Sequence, residues 1–269
     1  LESDGMKKYL RDLQPESLED ICFMCAAYRP GPMQFIPDYI ECKHGRKEPD
    51  YLIPELEPIV KNTYGFAIYQ EQVIRIAVDI AGYTMGEADI LRRAMGKKVK
   101  EIMIAEKAKF LEGCVKRGHT NEVAEKLFEY LMPFADYGFN KAHAAGYAMI
   151  AYQTAYLKAH YPIEFTIGLL ESDLETADKL HRDVEEARNL GIEVLQPDVN
   201  KSKLMFGIEE KEGKNCIRFG MGGIKTINRK VVEKIITERD KKGPFKHFDD
   251  LVGRVGITDL TKKTLEVLI

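Results

Sequence analysis

The segment from Asn140 to Pro162, NKAHAAGYAMIAYQTAYLKAHYP, constrains the fold more than any other stretch of the chain. Asn140 is a capping residue at its start, and Pro162 pushes the residue before it out of the α region, so the spacing predicts one long helix from just after Asn140 to about His160. A helix of that length needs other helices to pack against, and the chain before it supplies them. Helix is expected from Pro15 to Tyr28, closed by the rigid turn Arg29-Pro30-Gly31-Pro32. Ile68, Val73, Ile76, Ala77 and Ile80 suit a buried helical face from about Gln70. Thr84 and Glu87 form a T-x-x-E capping box that starts a helix at Met85, with Gly96 suited to the left-handed position after its end. Further helices are expected from Glu101 to Arg117 and from Asn121 to Leu131.

Past Gly191 the pattern changes. IEVL, KLMFGIE and CIRFGM read as short strands, with EEKEGKN as a hairpin loop between the last two. The tail returns to helix, with a turn from Gly222, a helix from Asn228 to Arg239, the loop KKGPF and two short helices. The fold class expected is mainly α with a small β-rich segment. At 269 residues and 45% hydrophobic content, the chain can bury one sizeable core and a small second one. Its first residue, Leu1, and the apolar run Leu265 to Ile269 at its end point to a segment of a longer polypeptide. Charge breaks the apolar runs well short of the roughly 20 residues that span a bilayer, and neither a signal peptide nor a membrane partner is expected. Five cysteines suit a reducing compartment, the cytoplasm, and Cys22 and Cys25 read as core filler within ICFMCAAY.

The net charge of -3 hides a segregation. Residues 92–117 hold nine Lys or Arg against three Glu, and residues 225–246 hold eight against three acidic groups. Two basic patches on an acidic body favour a polyanion docked at chosen places, the alternative being two solvated helical faces. In LRRAMGKK, Asp89 lies four residues before Arg93 and can pair with it, and the helix dipole favours both arginines near a C-terminus. Neither accounts for Lys97, Lys98 and Lys100 following at once, whereas a shared phosphate does.

The second constellation is YGFNKAHAAGYA. Lys141 in the first turn of a helix is locally unfavourable, and an anion at the helix N-terminus would reverse that, with His143 on the same turn. Ala142, Ala144, Ala145, Gly146 and Ala148 leave a bare flank. It suits close approach of a backbone or a flat base and equally suits tight packing on another helix. FGMGGIKT meets neither phosphate-loop spacing, because Ile224 stands where glycine is required and G-x-G-x-x-G fails at Lys225. No D-x-D, H-E-x-x-H or G-x-S-x-G occurs, Asp249 and Asp250 diverge on a helix, and Glu171, Asp173 and Glu175 read as a solvated helix end. No metal and no independent catalysis are expected of this chain.

LESDGMKKYL, YRPGPM, KHGR, TYGFAIYQEQV, LRRAMGKK, YGFNKAHAAGYAMIAYQTAYLKAHYP, LQPDVN and IRFGMGGIK, in this order, resemble the alpha-subunit family of bacterial DNA polymerase III, the C-family replicative polymerases. The resemblance implies a helical fingers core over 1–172, a helix with a small β-rich segment over 173–221, and a helix-hairpin-helix region over 222–269. GGIKTINRKVVEKI resembles the hairpin G-I-x-x-I-G, with Asn228 in place of the second glycine. It further implies that Arg92 and Arg93 hold the β and γ phosphates of a deoxynucleoside triphosphate, with Lys97 and Lys98 extending that grip or meeting template phosphate. Lys141, His143 and Tyr147 would line the nucleotide and primer-template side, and Lys225, Arg229 and Lys230 would hold DNA. Mg2+ would sit on aspartates of an absent palm, and sliding clamp and clamp-loader tau would be partners of the whole subunit. The alternatives are a non-catalytic helix-hairpin-helix DNA-binding module or a scaffold in the replication complex.

Overall fold

The computed structural model describes residues 1–97, 100–135, 137–225 and 227–268; the side chains of 95–97, 100–102 and 135 lie outside the description. The chain forms two units, Leu1–Gln153 and Thr154–Ile269. The first holds α1 (Asp4–Leu13), α2 (Leu18–Ala27), α3 (Ile36–Lys43), α4 (Glu57–Val60), α5 (Gln70–Asp79), α6 (Met85–Lys97), α7 (Lys100–Lys116), α8 (Asn121–Ala135) and the start of α9 (Lys141–His160).

Caps set several of these boundaries. Ser17 accepts from the Asp20 N–H at 3.4 Å and Asp20 answers on the Ser17 N–H at 3.2 Å, so α2 starts at Leu18 rather than at Pro15. The Thr84 box forms as expected, with Thr84 N–H donating to Glu87 at 2.8 Å. α6 continues through Gly96 to Lys97, so Gly96 does not end it. α8 likewise runs past Leu131 and through Pro133, because Leu131 and Phe134 are both buried in the core that its last turns cover. α1 and α3 escaped the sequence reading.

The described buried apolar residues of this unit form two clusters. One joins α4 to α8 around Val73, Ile76, Leu91, Phe110 and Leu127. The other joins α1, α2 and α3 to Ile68, Tyr69, Ala144 and Ala148, which takes Ile68 away from the face it was expected to share with Val73. Phe23 stacks on Tyr39 here, and Cys22 is buried, with its thiol pKa raised by burial, as suits core filler. The same region buries an ion pair, Lys43 with Asp20 at 3.1 Å, each side chain under a tenth exposed. Lys43 also donates to the Leu13 and Gln14 carbonyls and Asp20 accepts from the Tyr39 hydroxyl, so the desolvated charges keep partners.

In the second unit, α10 (Pro162–Ser172) and α11 (Ala177–Asn189) pack on a sheet of β1 (Val194–Leu195), β2 (Gly207–Lys211) and β3 (Lys214–Arg218). The strand order is β1-β3-β2, with β1 parallel and β2 antiparallel to β3. The expected seven-residue hairpin loop tightens to Glu212-Gly213, both at positive φ, because the strands pair up to Lys211 and Lys214. A separate cluster joins α12 (Arg229–Lys242), α13 (Phe248–Val255) and α14 (Lys262–Leu268). Among the described residues, apolar burial is thus shared among four clusters rather than concentrated in one core and a minor second.

Candidate nucleotide and nucleic-acid site

Residues just before α9 are fastened from several sides. Phe139 bridges to Tyr69, its N–H donating to the Ile68 carbonyl and its carbonyl accepting from Gln70, both at 2.9 Å. Gln70 Nε2 donates to the Gly138 carbonyl at 3.0 Å. Arg29 donates to the Tyr137 and Ala26 carbonyls while its guanidinium lies 4.7 Å from the Phe139 ring centre. Gly31 sits at φ +99°, and a Cβ there would come within 2.5 Å of the Tyr137 ring, so the RPGP turn is shaped to this segment.

The helix then opens under a cap. Asn140 Oδ1 accepts from the His143 N–H at 2.8 Å, as its residue type predicts. Both oxygens of Glu71 accept from the Lys141 N–H, at 3.1 and 3.0 Å. The Lys141 ammonium lies 3.0 Å from Glu19 and 5.4 Å from the Tyr69 ring centre. The anion inferred from the unfavourable placement of Lys141 is therefore already supplied, by carboxylates of α5 and α2. His143 and Tyr147 are exposed and continue an aromatic row from Phe139, with centroids 5.6 and then 4.8 Å apart. The bare flank divides between its two readings. Ala144 and Ala148 are buried against the α1–α3 cluster, whereas Ala142, Ala145 and Gly146 stay exposed.

At the end of α6, Asp89 gathers both arginines. Arg92 Nε and Nη2 donate to its Oδ1 at 3.0 and 2.8 Å, and Arg93 Nη2 lies 2.7 Å from its Oδ2. The i,i+4 pairing of Asp89 with Arg93 expected from the sequence forms, and the i,i+3 spacing brings Arg92 to the same carboxylate. Hydrogen bonding from Arg92 holds the Asp89 carboxyl below its usual range, and the charge of Arg93 adds to the effect. The side chain of Lys97 and the whole of Lys98 lie outside the described residues.

The third cluster belongs to the second unit. Asn228 caps α12, its Oδ1 accepting from the Lys230 N–H at 2.9 Å. Thus the residue standing where the hairpin pattern has glycine serves as an N-cap. Lys225, Arg229 and Lys230 are all exposed; Arg229 pairs with Glu233 one turn on, at 2.9 Å. Among the described residues, no carboxylate reaches ion-pair distance of Lys225 or Lys230. Asp173 does stand at a helix end, as the C-cap of α10, and Glu175 beyond it is exposed, but the Asp173 side chain is only 18% exposed and lies 3.4 Å from Lys179.

Residues 1–118 match the family described as "Bacterial DNA polymerase III alpha subunit finger domain" and residues 191–269 match "Helix-hairpin-helix motif". Among curated proteins, the DNA polymerase III subunit alpha of Borreliella burgdorferi is 46% identical over 268 residues, covering 100% of this chain and 23% of that protein. The subunits alpha of Thermus aquaticus and Halalkalibacterium halodurans are each 44% identical, again over 100% of this chain and over 22% and 24% of their own lengths. The chain belongs to the alpha-subunit family of bacterial DNA polymerase III. It spans about a quarter of the length of these alpha subunits. The helical finger domain and the helix-hairpin-helix element are therefore those of a polymerase III alpha subunit. The family implies a divalent metal in the catalytic palm. Among the described residues of this alpha-subunit segment, no group of three or more His, Cys, Asp or Glu converges to hold one. Nor, among those residues, is any helix long and apolar enough to cross a membrane.

Sequence reasoning missed Glu71, Glu19 and Arg29. Glu71 is seventy positions from Lys141, and nothing local to either residue announces the contact.

Proposed function

We propose that this chain is the fingers and helix-hairpin-helix part of a bacterial replicative DNA polymerase, which grips the incoming deoxynucleoside triphosphate and the primer-template while the catalytic metals sit elsewhere in the subunit. The observation that carries the reading is the convergence of Arg92 and Arg93 on the two oxygens of one carboxylate. Guanidinium forks so arranged suit adjacent phosphoryl oxygens equally well. In phosphoryl transfer, positioning and charge neutralisation supply most of the rate enhancement, so these cations can act without forming bonds to the reacting atoms.

In this reading Arg92 and Arg93 take the β and γ phosphates, and Lys97 and Lys98 extend the grip or meet template phosphate. Lys141, His143 and Tyr147 line the nucleotide and primer-template side, the exposed aromatic row giving a base or sugar a flat surface. Lys225, Arg229 and Lys230 hold DNA phosphates without reading sequence. Mg2+ belongs to palm aspartates, the sliding clamp and clamp-loader tau are partners of the whole subunit, and the setting is the cytoplasm. Catalysis is expected of the complete subunit and not of this segment alone. In the complete subunit, Arg92→Ala is expected to lower kcat/KM for nucleotide by about tenfold or more. Unchanged nucleotide kinetics would remove the phosphate role.

A second reading, a separate DNA-binding module, draws on the exposed Lys225 and Lys230. Ending the chain at about Gly213 and measuring duplex affinity against salt separates the two: undiminished binding excludes the tail as the module.

A further inference from the structure

Neighbouring residues of a helix project about 100° apart, so Arg92 and Arg93 do not meet by default. They meet because Asp89 lies three and four residues earlier and offers one oxygen to each. The cluster is open to solvent, the side chains of Asp89, Arg92 and Arg93 being 34%, 27% and 65% exposed. An ion pair this exposed is weakly held and readily exchanged. Its stereochemistry is also that of the proposed ligand, since a carboxylate and a phosphoryl group both present paired acceptor oxygens to an arginine fork.

We propose that Asp89 is a positioning residue and resident counter-ion for the arginine pair. Its carboxylate keeps the two guanidiniums together, and the polyphosphate of the incoming nucleotide takes its place on them. Asp89 then works against the ligand as well as for it. It prepares the geometry that two phosphoryl groups need, and it competes for the same donors. At a separation of roughly 6 Å in water one unit charge changes affinity for another by about threefold, and a polyanion feels more. Removing the charge at position 89 while keeping its shape should therefore tighten polyphosphate binding, at the expense of ordered catalysis.

Because the inference rests on the phosphate role of Arg92 and Arg93, its test must fail separately from that role. The complete alpha subunit is assayed on a primer-template with Asp89→Asn, Asp89→Glu, Arg92→Ala/Arg93→Ala and the triple variant, using inorganic pyrophosphate as a competing probe. Asp89→Asn is expected to lower the KM for nucleotide and the inhibition constant for pyrophosphate about threefold to tenfold, with kcat no higher and with the gain shrinking as salt is added. Asp89→Glu restores the carboxylate and should stay near the parent values. In the Arg92→Ala/Arg93→Ala background, Asp89→Asn should change neither constant. An unchanged or raised KM for Asp89→Asn overturns the proposal while leaving the phosphate role intact if the double alanine variant raises KM. An equal gain in both backgrounds also overturns it, because the effect would then not pass through the arginines. If the double alanine variant leaves KM unchanged, the phosphate role falls and this inference falls with it.

Discussion

Two helices of this chain begin in the same way and end up in opposite electrostatic states. α9 starts Asn140-Lys141 and α12 starts Asn228-Arg229-Lys230; in each, the asparagine side chain accepts a backbone N–H of the first turn. At α9, carboxylates arrive from two other helices, Glu71 on the Lys141 N–H and Glu19 on its ammonium. At α12, Arg229 has a partner on its own helix, and Lys225 and Lys230 face solvent. An asparagine followed by a cation therefore announces a capped helix but not an anion site, since tertiary neighbours decide whether the positive end is already answered.

The contrast is most sharply broken at the carboxylates. Glu71→Ala removes a charge-assisted acceptor from a half-buried helix start and should destabilise the chain by about 2 kcal/mol in urea unfolding. Glu233→Ala removes an exposed i,i+4 partner at α12 and should change stability by only about 0.3–0.5 kcal/mol. Equal losses would mean that Glu71 is a surface contact and that the two starts do not differ.

Effects smaller than that of Glu71→Ala are expected at the caps. Asn228→Ala should cost about 1 kcal/mol, the usual loss for such a cap. Asn140→Ala should cost less, because Glu71 still meets the first turn of α9. A larger loss at Asn140 than at Asn228 would show that the carboxylate does not share in capping.

How much of this was legible follows from how far apart the partners lie. The Asn140 cap, the stop before Pro162 and the Thr84 box are local, and each could be read from a few adjacent residues. α8 could not be bounded that way, because burial of Leu131 and Phe134 outweighs the missing donor of Pro133. The β-rich runs after Gly191 were visible, but pairing in register trimmed the hairpin to two residues. In the candidate site, the types and spacing of Arg92, Arg93 and Lys141 were plain, whereas the answer to Lys141 came from Glu71 and Glu19, remote in sequence. Where a cation's counter-charge is local, as with Asp89, the sequence holds it; where the fold brings it, local spacing cannot.

The gentlest test of the comparison is salt. A lysine that meets a DNA phosphate releases a counterion, so its loss reduces the slope of log affinity against log salt by about 1. Lys225→Ala and Lys230→Ala should each do so, because among the described residues neither has a carboxylate partner. Lys141→Ala should reduce the slope far less, since Glu19 already neutralises the ammonium and removing the lysine exposes that carboxylate instead. Glu19→Gln provides the converse, freeing Lys141 to add to the slope as Lys225 and Lys230 do. If Lys141→Ala lowers the slope as much as Lys230→Ala does, DNA displaces Glu19 in the complex, and the two helix starts are alike once nucleic acid is bound.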